Sequence, residues 1–236
     1  MIGLSVLCPS HSAPEPALLR LSSGGTFCTE LERHLTDWTV TTSDLGVPQM
    51  AGVRTETAAT IEDLYRVDGK AELIDGRIVP LMPTGRRPNR IAFRIAKSLD
   101  DHAEATHEGE VYTDNMGFTV PKLSSGRESF SPDASYYRGP FPSNEMRFIK
   151  GPPTFAVEVR SENDYGDPAE ERCAAKRADY FEAGTRVVWD VDPRAGVIRS
   201  YSQQSPDHPK VFELGQEADA EPAVHGWRMP VDRILA

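Results

Sequence analysis

Asp133 and Glu158 are the residues on which chemistry could be built. Each closes a short stretch that reads as a strand end: Ser131-Pro132-Asp133-Ala134, and Pro153-Thr154-Phe155-Ala156-Val157-Glu158-Val159-Arg160. Pro132 fixes the backbone just before Asp133. The β-rich run from Thr154 to Val159 lies between Pro and Gly signals and a polar turn, as a short buried strand does. A carboxylate near the end of such a strand is costly unless positive charge meets it. If the two strands pair, the carboxylates converge and repel, and a divalent cation is a common way to hold both ionised. The residue types therefore point to a metal site at the ends of two strands. They also suit a structural ion-pair cluster with Arg160 or Lys176 as the cation, and the pattern alone leaves both readings open.

The elements that must position these groups are legible on either side. Thr60 is a fair N-cap for a short helix with Glu62 and Asp63 in its first turn. Ala71-Glu72-Leu73-Ile74 and Arg77 to Met82, separated by Asp75-Gly76, predict a β-hairpin carrying Glu72 on a strand. Glu72 reads equally well as a solvated edge residue. From Pro88, apolar residues recur at Ile91, Ile95 and Leu99, the stripe of a helix packed on one face. Arg87, Arg90, Arg94 and Lys97 share another face, either a solvated one or a contact for phosphates. Glu110 to Val120 predicts a strand-turn-strand unit, and residues 138–153, rich in Pro, Gly and Asn, a long connection. Pro168 opens a helix to about Ala183, stopped by Gly184, with Lys176 one turn before Tyr180. Arg186 to Val191 is another strand, so strand, helix and strand form a crossover.

Composition limits the functions available. The 236 residues with 39% hydrophobic content can bury one substantial core. A net charge of -10 opposes avid, non-specific binding to polyanions, although local patches can override the total. Three scattered cysteines (Cys8, Cys28, Cys173) suit a reducing cytosol, and the six histidines show no zinc-type spacing. A cytoplasmic protein is expected, because no apolar run is long enough to span a bilayer and the first residues lack the basic and apolar regions of a secretory signal. Residues 1–49 are rich in Ser, Thr, Pro and Gly, with one amphipathic turn around Phe27 to Trp38. They read as a poorly ordered extension. Met50 is the expected natural start, with residues 1–49 an upstream read-in and residues 50–236 the folded domain.

The ordered set Glu72-Leu73-Ile74-Asp75-Gly76, Pro132-Asp133, Pro153 to Val159, Ser161, Lys176, Tyr180, Gly184 and Trp189-Asp190-Val191-Asp192-Pro193 resembles the Uma-two family of restriction endonucleases, assigned to the PD-(D/E)XK nuclease superfamily. The resemblance runs from about residue 58 to the end. It implies an α/β fold with a restriction-endonuclease-like core, a mixed central β-sheet flanked by helices. It makes Asp133 and Glu158 the ligands of Mg²⁺ or Mn²⁺, with Lys176 and Glu72 as further catalytic groups. The superfamily's lysine usually stands two residues after the second acid, and here that position holds Arg160. Arginine cannot take a proton from water, but it can meet a phosphate.

The activity implied is metal-assisted hydrolysis of DNA phosphodiesters. A homodimer would bring the two sites that cutting both strands requires. Two other functions stay open on the residues. One is a nuclease-fold protein that binds nucleic acid or a protein partner without cutting, recommended by Arg160 and the acidic charge. The other is a sugar hydrolase using the carboxylate pair as acid and base, which would work without a metal.

Overall fold

The computed structural model of the protein describes residues 58–236. The amphipathic turn around Phe27 to Trp38 and the proposed start at Met50 lie outside the described residues. Local chemistry sets the first elements. Thr60 caps α1 (Ile61–Leu64) in a reciprocal capping box, its hydroxyl accepting from the Asp63 N–H while the Asp63 carboxylate accepts from the Thr60 N–H. Asp75 and Gly76 both take positive φ, 49° and 67°, so β1 (Ala71–Ile74) and β2 (Arg77–Pro80) are joined by a two-residue turn whose twist matches the strands. The chain then enters α2 (Arg86–Thr106), whose Ile91, Ile95 and Leu99 are buried as their spacing predicts.

After α2 the chain lays down β3 (Glu110–Thr113), β4 (Phe118–Thr119), β5 (Ser129–Phe130), β6 (Ala134–Tyr137), β7 (Ile149–Lys150) and β8 (Phe155–Val159). The helix α3 (Asp167–Ala183) crosses to β9 (Val187–Asp192), followed by β10 (Val197–Ser202), β11 (Ser205–Glu213), β12 (Glu217–Asp219), β13 (Arg228–Pro230) and α4 (Val231–Leu235). Six strands form the central sheet in the order β11-β10-β9-β8-β6-β3, antiparallel except for the β8–β9 pair. The expected crossover is therefore present, and the sheet is mixed and flanked by helices.

Residues 110–120 form the expected strand, turn and strand, but the two strands join different sheets: β3 pairs with β6 in the central sheet, whereas β4 pairs with β5 and β7 in a separate three-stranded sheet. Asn115 at φ 78° sits in the turn between β3 and β4, where the chain leaves one sheet for the other. The connection 138–153 accordingly contains a strand, β7.

The alternation of β8 and β9 divides the core. Phe155, Val157, Val159, Val187, Trp189 and Val191 pack with Ile91, Ile95 and Leu99 of α2 and with α4. Ala156 and Val188 face the other way, toward Tyr180 of α3 and the small sheet. Glu158 and Asp190, each two residues further along its strand, belong to this second face. Each large apolar side chain sealed in these layers contributes about 1.5–3 kcal/mol, which is what holds the strand ends in place.

Candidate active site

Asp133 precedes β6 and brackets the end of β8. Its N–H donates to the Val157 carbonyl at 3.1 Å, and its Oδ2 accepts from the Val159 N–H at 2.8 Å. Glu158 lies between those two contacts. Residues facing each other across such a pair have Cβ atoms about 4.5–5.5 Å apart. Sheet pairing thus brings together two carboxylates that are distant in sequence. Their side chains keep 21% and 29% of their surface exposed, so the pair opens to solvent and to anything arriving from it.

The helix α3 supplies the cation. The Lys176 ammonium stands 2.9 Å from Glu158 Oε1 and 3.3 Å from Glu72 Oε1. One turn later the Tyr180 hydroxyl donates to the same Glu158 oxygen at 2.7 Å. Spacing of four residues on a helix is what lets both groups meet one carboxylate. Glu72 is 2% exposed and no solvated edge residue. Its Oε1 accepts the Ser131 N–H at 3.0 Å and its Oε2 pairs with Arg127, whose Nε reaches Asp179 Oδ2 at 2.8 Å.

The two glutamates share one ammonium and fare differently. Burial pushes the Glu158 pKa up; Lys176 opposes this and the Asp133 charge adds to it, leaving the carboxyl above its ordinary value. Burial also opposes the Glu72 charge, but Lys176, Arg127 and the Ser131 N–H outweigh it and hold Glu72 below the ordinary value. Burial works against the Lys176 charge too, yet Glu158 and Glu72 keep its pKa above that of a free lysine. The ammonium is therefore a fixed positive charge and not a proton acceptor.

Arg160 does not fit a phosphate-binding role. It is 6% exposed, and its guanidinium is clamped between Asp190, at 2.7 Å through both Nε and one terminal nitrogen, and Glu170, at 2.8 Å. The reason is local: Asp190 lies beside Glu158 in the parallel register, and the first turn of α3 presents Glu170 from above. Every nitrogen of the fork is used. Lys176 stands at Glu158 instead.

The basic stripe of α2 is only partly offered to solvent. Arg87 and Arg90 are exposed. Arg94 is directed to the chain end, donating to the carbonyls of Ile234, at 3.4 Å, and Ala236, and Lys97 pairs with Asp101 at 3.1 Å. The buried stripe of α2 packs on the sheet face opposite the one carrying Glu158.

Sequence reasoning missed Lys70, Arg127 and the Tyr180 hydroxyl as members of the site. Lys70 stands 3.5 Å from Asp133 Oδ1 and also pairs with Asp114. The four-residue step from Lys176 could have flagged Tyr180. No local pattern marks Arg127, a loop arginine buried only because Glu72 and Asp179 both need it.

The donor set can be tested against a divalent cation. Among the described residues no group of three or more His, Cys, Asp or Glu side chains converges as an ion cage. Mg²⁺ does not ask for one: it is commonly held by one or two carboxylates, with water and substrate phosphate completing the octahedron. Hard oxygen donors on a half-buried pair fit such an ion, and the Asp133 charge, one cause of the raised Glu158 pKa, shows that the two carboxylates repel.

Comparison with known proteins bears on the whole arrangement. A family model, Uma2, described as "Putative restriction endonuclease", matches residues 58–232. Comparison with curated proteins found no match. Among solved structures the chain resembles a "putative nuclease belonging to DUF820" from Anabaena variabilis ATCC 29413, with a TM-score of 0.59 at 17% identity, over 75% of this chain and 97% of that one. At that identity the likeness concerns the fold. Among the described residues no helix is long and apolar enough to cross a membrane.

Proposed function

The chain belongs to the Uma2 family, described as "Putative restriction endonuclease", and from that premise we propose that it is a metal-dependent DNA endonuclease hydrolysing phosphodiester bonds. The observation that carries this reading is the meeting of Asp133 and Glu158 across β6 and β8 with the Lys176 ammonium 2.9 Å from Glu158. In it, Asp133 and Glu158 hold Mg²⁺ or Mn²⁺. Such an ion, when bound, polarises a phosphoryl oxygen and makes hydroxide available near neutral pH. The chain's own residues do the rest. Glu72, itself held by Arg127 and the Ser131 N–H, fixes one side of Lys176, and Glu158, held by Tyr180, fixes the other, so the ammonium is already placed to offset charge growing on the phosphate. Two-strand cleavage takes two such sites, and a homodimer is the simplest source of the second.

A second reading, nucleic-acid binding without cleavage, is favoured by one observation: Arg160 stands where the superfamily's lysine is expected and is tied to Asp190 and Glu170. Calorimetric titration with Mn²⁺, followed by a cleavage assay on plasmid DNA, separates the two. The nuclease reading expects Mn²⁺ binding that is lost in Asp133→Ala, and cleavage reduced about a thousandfold or more in Glu158→Gln, as for loss of a group that stabilises the transition state. Binding of DNA with no cleavage under either metal overturns it in favour of the second. Hydrolysis of a glycoside substrate that persists in EDTA would indicate the carboxylate acid-base chemistry of a sugar hydrolase instead.

A further inference from the structure

A cavity of about 340 Å³ lies near the candidate active site, lined by residues that include Tyr65, Phe148, Phe130, Lys70, Ser131 and Asn115. Three of these are each one contact from a site group. Lys70 reaches Asp133 at 3.5 Å, the Ser131 N–H holds Glu72 at 3.0 Å, and the Phe130 ring stacks at 4.2 Å on Tyr180, which holds Glu158. The cavity is thus a near neighbour of the candidate active site, with Lys70 shared between them.

Its walls have a particular chemistry. Tyr65 and Phe148 are stacked at 4.2 Å, with the Arg147 guanidinium 4.0 Å over Tyr65 and Gly117 packed against Phe148. Ring faces are therefore occupied and ring edges remain to meet a guest. An aromatic edge carries partial positive charge and prefers the face of another π-system, so a planar aromatic guest is favoured. Polar capacity accompanies it. Ser131 is 4% exposed, and its hydroxyl has no hydrogen-bond partner among the described residues. A buried hydroxyl without a partner costs stability, and a ligand that bonds it recovers that cost. The volume is at the low end for ligand pockets, about 300–1,000 Å³, enough for one ring system and its edge groups.

We propose that this cavity receives a nucleobase swung out of the strand beside the scissile phosphate, so that the substrate class is DNA carrying an unpaired base next to the cut. The inference rests on the nuclease reading for the phosphate, while the cavity itself supplies the claim about the base. Removing a base from a duplex costs stacking and pairing energy, least where the base is already unpaired, so such a pocket selects mismatched, bulged or single-stranded positions. The Ser131 hydroxyl and the Asn115 amide both donate and accept, and can read the edge of the extruded base.

The test uses the full chain in EDTA with two otherwise identical oligonucleotide duplexes, one carrying a single unpaired 2-aminopurine and one fully paired. Affinity is read by anisotropy and base environment by 2-aminopurine fluorescence. The unpaired probe should bind about tenfold tighter, the ratio expected for one base held against aromatic groups. Ser131→Ala should cut that ratio about threefold, as for loss of one hydrogen bond. Val67→Trp, which fills the cavity from its rim, should bring the ratio near one. If melting shows that Val67→Trp does not fold, the smaller Ser131→Ala decides alone. A ratio near one in the wild type, or a ratio unmoved by the folded variants, overturns the inference. Cleavage of the same two probes with Mn²⁺ is scored separately. Absence of any cut overturns the nuclease reading alone, and equal cutting with equal affinity overturns the base pocket alone.

Discussion

Glu72 shows how far a single side chain can depart from what its surroundings in sequence suggest. On a short hairpin strand it reads equally well as a solvated edge residue or a site residue, yet it is buried and held by Lys176, Arg127 and a backbone N–H. Nothing local signals this, because all three partners come from elsewhere in the chain. Its folded pKa lies below the ordinary value, so the sign of its contribution is fixed. The stabilisation is present above the unfolded pKa and is lost as pH falls through the folded one. Replacing Glu72 by Gln should remove that part of the acid sensitivity and, by leaving Arg127 and Lys176 short of a counter-charge, cost about 3–5 kcal/mol near neutral pH. Thermal melts of both proteins across acidic to neutral pH check this. Curves that stay parallel would show that Glu72 is not held as an ionised group.

At the scale of elements the sequence was most legible where the signal is local. Asp75-Gly76 marked the hairpin, the Ile91-Ile95-Leu99 stripe marked α2, and Gly184 marked the end of α3, each through backbone chemistry that needs no distant partner. The pairing of Asp133 with the end of β8 could be posed from strand-end carboxylates and a shared polarity. The exchange of strands between two sheets could not be read, since nothing in residues 110–120 states which edge each half joins. Arg160 belongs to the same class of silent information. It stands where a nuclease lysine is expected, but it ties the end of β8 to β9 and to the first turn of α3 through Asp190 and Glu170. A lysine there cannot engage both carboxylates in the same planar, bidentate fashion. Arg160→Lys should therefore lower stability by about 1.5–3 kcal/mol, as for loss of a charged hydrogen bond, without raising cleavage, because the charge it carries is spent on the two elements. A melt and a cleavage assay on the same preparation decide it, and a gain in activity with an unchanged melting temperature would contradict the structural role.

For the molecule as a whole, the acidic balance and the proposed substrate stand in tension. A chain with a net charge of -10 gains nothing from a phosphate backbone except where cations are locally free to meet it. Two members of the α2 stripe have been claimed by other groups: Arg94 by the C-terminal carbonyls and Lys97 by Asp101. Arg87 and Arg90 remain exposed at the start of α2, just after the hairpin that carries Glu72. If duplex DNA lies over that end, those two arginines release counterions when it binds, each contributing about 0.9 to the slope of log affinity against log salt. The double variant Arg87→Ala with Arg90→Ala should then flatten the slope by about 2, whereas Lys97→Ala should alter it much less. Fluorescence anisotropy of a labelled duplex over a salt series measures both. A slope unchanged in the double variant would place the DNA on another face, away from α2, and leave the phosphate contacts to Lys70 and Lys176, the cations already beside Asp133 and Glu158.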